Sequence, residues 1–329
     1  MGAIRRLGLS VGLGVVVALI GLRVEQQQWL SPSLMTTLIV TRGMTGLQVS
    51  QALQPTWPGW RHRLLFRLYP ELAKIQEGRY QWSEGLSTPQ VLAKMVAGDS
   101  IPSRLTFVEG ITIAEAWARV SAHPDVQASE TPDWNQWMTA WNSPFPHPEG
   151  AVLAETFLWQ GTIEAQVLFK RAHDALVDRL ERAWAEASPR TKTVLKTPYD
   201  ALILASIVEK ETALASERGL IAGVFLARLE RGMRLQTDPT VIYGLGDAFD
   251  GNLTRQNLRE KTPYNTYRID GLPPTPIALV GTASLIAVMQ PIETNALYFV
   301  SKGDGSHAFS ETLEEHNRNV RRYQLGQPE

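Results

Sequence analysis

The first pattern along the chain is an uncharged apolar stretch, Leu7 to Leu22, with Arg5 and Arg6 before it and Arg23 after it. It is slightly short of the about 20 residues that cross a bilayer, but Arg23 can snorkel and Val24 extends the span. The arginines at the start place that end inside. The pattern therefore predicts a cytoplasmic tail over 1–6 and a transmembrane anchor over 7–24. A cleaved signal peptide is the rival, although no A-x-A-like site follows the run. Gln26, Gln27 and Gln28 read as a polar exit.

Beyond the anchor the pattern alternates between short β-type runs and amphipathic helical ones. Leu38-Ile39-Val40 is a strand followed by an Arg42-Gly43 turn, and Thr45 is placed to cap a helix through Val49 and Leu53. Gly78 to Trp82 reads as a turn into a strand. Ser87-Thr88-Pro89 opens a helix whose apolar stripe is Leu92, Met95 and Val96. Leu105 to Val108 gives a strand, and Thr112 with Glu115 a capping box. Trp134, Trp137 and Trp141 share one helix face, as a sugar-stacking surface or, more commonly for such bulk, as an anchor into the core. Helical pattern continues over Ala165 to Trp184 and from Pro198. Leu297 to Ser301 and Ser306 to Phe309 form a hairpin, and a closing helix is capped at Ser310 or Thr312.

Composition removes several chemistries. The 329 residues contain no cysteine, so thiol nucleophiles, thiolate metal sites and disulfides are absent. The six histidines show no H-E-x-x-H spacing, and neither a G-x-S-x-G elbow nor a P-loop occurs. No metal site and no cofactor is expected. Lys+Arg 32 against Asp+Glu 33 leaves no basic domain for nucleic acid.

The chemistry concentrates in Leu202 to Ala215, read as one continuous helix that is apolar on nearly all sides up to Val208. Glu209 and Glu211 enter it two residues apart, about 200° around the axis, so they cannot serve one cleft as a pair. Ile207, Val208, Leu214 and Ala215 flank Glu211 at helical spacing, against Ala205, Ser206, Thr212 and Ala213 around Glu209. Desolvation raises a carboxyl pKa, which suits Glu211 to general acid work. The structural alternative is a glutamate paired with Lys210 or Arg218. Downstream, Arg234 to Gly244, Tyr264 to Tyr267 and Gly271 to Pro274 read as loops rich in hydroxyls, amides and aromatics. Such groups make the neutral hydrogen bonds and stacking contacts that sugars take. Gln236, Asp238, Thr240, Tyr243, Tyr264, Asn265 and Tyr267, with Glu209, are the candidate substrate-binding residues.

Val208-Glu209-Lys210-Glu211-Thr212, Ser216-Glu217-Arg218, the run Met233 to Gly244, Tyr264-Asn265-Thr266-Tyr267, Gly271-Leu272-Pro273-Pro274 and His316-Asn317 together resemble the YceG-like endolytic murein transglycosylases. The chain departs from that pattern at Thr275 to Gly281 and at Ala151 to Thr156. The resemblance implies an α+β fold: a single N-terminal transmembrane helix, a small LysM-like α+β module over 33–103, a connecting subdomain over 104–147, and a larger α+β catalytic domain over 148–323. It implies an inner-membrane, single-pass enzyme with its catalytic domain in the periplasm. Its activity would be endolytic lytic cleavage of the MurNAc–GlcNAc β-1,4 bond of peptidoglycan strands, leaving 1,6-anhydro-MurNAc ends and limiting nascent strand length. Glu211 aligns with the family's catalytic glutamate, and cell-wall synthases are the implied partners. A hydrolytic muramidase and a non-catalytic peptidoglycan-binding scaffold are the alternatives.

Overall fold

The computed structural model describes residues 36–128 and 130–326, so the expected anchor at 7–24 lies outside the described residues. Among the described residues, no helix is long and apolar enough to cross a membrane. The chain is a mixed α+β protein of two compact units.

The described part of the first unit spans 36–104 and 158–163. Its strand β1 (Thr37–Val40) pairs antiparallel with β2 (Gly78–Gln81), Thr37 opposite Gln81 and Val40 opposite Gly78. Between them run α1 (Gly46–Leu53) and α2 (Gly59–Leu68), and α3 (Thr88–Val96) follows. Thr45 caps α1 in a capping box with Gln48, and Ser87 caps α3 in another with Gln90. Each box satisfies two backbone donors that a helix start leaves free. Val49, Leu53, Leu65, Tyr80, Leu92 and Met95 form the sealed core. Two polar pairs are buried with it: Ser50 Oγ to His62 Nδ1 at 2.8 Å, and Gln54 Nε2 donating to Thr88 Oγ1 at 3.0 Å.

The second unit comprises 105–157 and the chain from 164 onward. Its helices are α4 (Ile113–Ser121), α5 (Trp134–Ala140), α6 (Ala165–Ala185), α7 (Pro189–Val194), α8 (Pro198–Glu211), α9 (Ala215–Glu230), α10 (Asp238–Leu245) and α11 (Thr282–Met289). A hairpin of β3 (Tyr298–Ser301) and β4 (His307–Ser310) then leads to α12 (Leu313–Tyr323), capped by Thr312. The core is built around α8. Every residue from Ala201 to Val208 is buried, because α6, α9, α10 and α11 all pack against that helix. Trp134, Trp137 and Trp141 are half-buried and gather with Trp117 around Phe169 and His173.

Two sequence expectations change. The helix read as continuous to Ala215 ends at Glu211, with Thr212 as its C-cap in extended conformation, and α9 begins at Ala215. Leu214 is therefore 37% exposed and does not flank Glu211 along one helix. The stretch Asp238–Leu245, read as loop, is helical. Pro239 in its first turn, where a missing N–H costs nothing, and Asp238 against the helix dipole were the available signals.

Candidate active site

The end of α8 delivers two carboxylates to two different places. Glu209, whose side chain is 3% exposed, sits 3.5 Å from the Arg218 guanidinium of α9, and its Oε2 accepts the Gly281 N–H at 3.0 Å. Arg218 also faces Glu109 at 3.9 Å. A Cβ at Gly281 would lie 1.8 Å from Glu109 Oε1, so a larger residue here would displace the Glu109 side chain. Glu209 thus ties the last turn of α8 to α9 and to the start of α11.

Glu211 faces a groove of about 580 Å³. Its Oε1 accepts a short hydrogen bond from the Thr237 hydroxyl. Burial pushes its carboxyl above the usual range. The Thr237 hydrogen bond opposes that rise, Asp238 adds to it, and the positive character of His307 and Arg228 offsets part. No salt-bridge partner of Glu211 occurs among the described residues.

Thr237 is held by a lattice of hydroxyls. Its N–H donates to Thr266 Oγ1 at 3.0 Å, its carbonyl accepts from Thr240 Oγ1 at 2.8 Å, and Thr240 and Thr266 bond each other at 2.8 Å. Gln236, in the left-handed region at φ 50°, turns the chain so that its N–H reaches the Thr266 carbonyl at 3.1 Å. Asn265 locks the facing loop by donating to the carbonyls of Asn257 and Glu260 and accepting the Tyr267 N–H. The Tyr267 hydroxyl donates to Asp238 Oδ1 at 2.7 Å, and burial beside that carboxylate raises its own pKa.

Of the sequence-selected residues, Glu211, Gln236, Asp238 and Tyr267 line the groove. Thr240 and Asn265 lie buried behind its wall. Tyr243 and Tyr264 pack on each other at 4.9 Å and bond Glu149 and Thr275, away from the groove. Glu209 is in the Arg218 cluster. The remaining wall comes from residues that site reasoning passed over: Arg228, Tyr298, Ser301, His307, His316 and Asn317. Arg228 is anchored by donating to the carbonyls of Leu297 and Leu235 at 2.6 Å each and lies beneath the Tyr298 ring. His316 stacks on the same ring at 5.3 Å. Only the pairing of His316 with Asn317 near the chain end had marked this wall in the sequence.

An α+β unit with a buried carboxyl of raised pKa on the wall of a polar, aromatic-edged groove has the makings of an acid-catalytic site. More specifically, the chain belongs to the YceG-like family, whose sequence model matches residues 38–322. It is 29% identical over 273 residues to the endolytic murein transglycosylase of Bacillus subtilis (strain 168), covering 78% of this chain and 75% of that protein. It is 24% identical over 293 residues to the endolytic murein transglycosylase of Streptococcus pneumoniae serotype 2, covering 79% of this chain and 53% of that longer protein. The crystal structure of a YceG-like protein from Listeria monocytogenes superposes with a TM-score of 0.57 at 29% identity, over 85% of this chain and 97% of that one.

Proposed function

We propose that this chain is an endolytic lytic transglycosylase acting on peptidoglycan glycan strands. The observation that carries the reading is Glu211: a carboxyl pushed upward by burial, without a salt-bridge partner among the described residues, facing an open groove. The bond we assign is the β-1,4 link from MurNAc to GlcNAc. Glu211 gives its proton to the departing O4, and the C6 hydroxyl of MurNAc closes onto C1 to leave a 1,6-anhydro end. In the single-residue form of this chemistry the glutamate then takes the C6 hydroxyl proton and is restored. Typical glycoside hydrolases use two carboxylates instead.

Asp238 shares the groove, which keeps the water-using muramidase as the second reading, although its Oδ1 is engaged by Tyr267. The masses of the products from uncrosslinked glycan strands separate the two, because an anhydro end lacks one water. Anhydro ends support the proposal, and reducing ends overturn it in favour of hydrolysis. Binding without cleavage by folded protein would favour the scaffold.

We assign the protein to the inner membrane with the enzyme in the periplasm, on the strength of Arg5, Arg6 and the apolar run after them. The β-α-α-β order of β1, α1, α2 and β2 supports a LysM-like reading of the first unit, with glycan as its ligand. Cell-wall synthases are the partners that a strand-limiting activity would require. Membrane fractionation of the full chain tests the placement, with a soluble fraction as the contrary result.

A further inference from the structure

The β3–β4 hairpin forms one wall of the groove, and Glu217 joins Phe225 and Arg228 in fastening it to α9. Glu217, in the first turn of α9, takes two hydrogen bonds from one residue: the His307 N–H donates to its Oε1 at 3.0 Å, and the ring Nδ1 lies 2.7 Å from its Oε2. A carboxylate only accepts, so Nδ1 carries a hydrogen, and the tautomer this fixes for the neutral imidazole has Nε2 as its acceptor. Nε2 has no hydrogen-bond partner among the described residues, and the side chain lines the same groove as Glu211. Phe299 meets the ring edge-on at 5.5 Å between centroids, which restricts its rotation. An imidazole oriented by a carboxylate, in a groove that also holds an acid, is the arrangement of a general base.

We propose that His307, oriented by Glu217, is the second proton-carrying group of this site and receives the proton of the sugar hydroxyl that closes onto C1. The inference rests on the transglycosylase reading and divides its proton work between two residues. Glu211 gives its proton to O4 as the C1–O4 bond breaks. The O6–C1 bond forms, and the O6 proton passes to Nε2. The imidazolium is then paired with Glu217, and the site is restored when that proton returns to Glu211 through solvent. No proton is gained or lost overall, and no water is consumed. The O6 closure occurs on the face from which O4 leaves, so the base has to stand beside the acid. Glu217 is the positioning residue, because it acts only through the ring.

Among the described residues, the other titratable groups of this groove are Glu211 at the end of α8, Arg228 on α9, Asp238 on α10, Tyr267, Tyr298 on β3 and His316 on α12, with Glu217 of α9 behind the ring. The test is the pH dependence of kcat/KM on uncrosslinked peptidoglycan strands for the full chain and for Glu211→Gln, His307→Gln and Glu217→Gln. The proposal expects His307→Gln to lose about 100-fold, within the span typical of general base catalysis, with kcat falling and KM nearly unchanged. The acid limb of the profile, where the imidazole becomes protonated, should disappear in that variant. Glu217→Gln should retain a weaker, displaced acid limb. Glycan binding to Glu211→Gln with and without His307→Gln should agree within about threefold, which shows that the hairpin still folds; His307→Asn repeats the test where Gln disturbs it. If His307→Gln keeps its rate and its acid limb, the assignment of His307 fails and Glu211 performs both transfers. If the unsubstituted chain makes no anhydro ends, or Glu211→Gln remains fully active, the transglycosylase reading fails and the role of His307 goes with it.

Discussion

Within one turn of α8, two chemically identical side chains meet opposite surroundings. Glu209 points to the side where α9 and α11 meet, and finds Arg218 and a backbone N–H. Glu211 points to the groove, and finds a hydroxyl in place of a cation. A buried carboxylate paired with a guanidinium is held in place, because breaking the pair strands a buried charge. A buried carboxyl that is hydrogen-bonded to a hydroxyl, with no salt bridge among the described residues, has its neutral form favoured by desolvation. On the proposed reading, position on the helix, rather than residue type, divides a brace from an acid.

The strongest way to break this contrast is to exchange the charge at each position in turn. Glu211→Gln keeps shape and a hydrogen bond to Thr237 but removes the proton. Strand cleavage should fall by about 1,000-fold, within the span typical of general acid catalysis, while the melting temperature stays within a few degrees. Chromatography of released muropeptides together with a thermal melt checks both halves. A large loss of stability with partial activity would mean that Glu211 is the brace.

A third buried carboxyl sharpens the comparison. Glu149 accepts the Ile113 N–H at 3.0 Å and bonds the Tyr243 hydroxyl at 3.2 Å; desolvation dominates these bonds and pushes its pKa up to about 7. Its folded pKa lies above the unfolded value of 4.5, so the protonated form favours folding. That contribution is fully present below about pH 4.5 and is lost as pH rises through about 7. It amounts to on the order of 3 kcal/mol. Urea unfolding at pH 5 and pH 8 should show the protein losing stability toward pH 8. Glu149→Gln should flatten that dependence.

Glu209→Gln should act in the reverse sense to Glu211→Gln. It leaves Arg218 facing only the half-exposed Glu109 at 3.9 Å, so stability should drop by about 2 kcal/mol. Activity per folded molecule should fall less than tenfold. Comparing denaturant midpoints with rates separates the two effects, and an intact midpoint with lost activity would place Glu209 among the reacting groups.

How much of this was legible in the sequence follows the range of the interactions. Local signals were readable. The helix caps at Thr45 and Ser87, the capping box at Thr112, the wholly apolar run into α8 and the hairpin at 298–310 depend on neighbours within a few positions. The opposite pointing of Glu209 and Glu211 also follows from helical pitch alone. The surroundings of Glu211 did not follow, because the helix stops at that residue. Its desolvation comes from Thr237, 26 positions away, and from the hairpin and α12 beyond. Likewise His307 looks like any strand residue until Glu217, 90 positions earlier, is seen to hold it. Tyr243 and Asn265 carry sugar-friendly chemistry, yet the fold uses them for Glu149 and for a loop lock.

The smallest expected effect tests the hydroxyl that distinguishes the two ends of the comparison. Thr237→Val keeps the volume and β-branching of the side chain and deletes the donor to Glu211. A hydrogen bond to an ionised group stabilises the charged form, so its loss should raise the Glu211 pKa further. Because the acid works protonated, the alkaline limb of kcat/KM should move to higher pH, by about one unit at most. The maximum rate should fall only several-fold, since the lattice of Thr240 and Thr266 still holds the backbone through the Thr237 carbonyl. A shift of that limb toward lower pH would mean that Thr237 shields the carboxyl from a cation, and Glu211 would then resemble Glu209 more than the groove suggests.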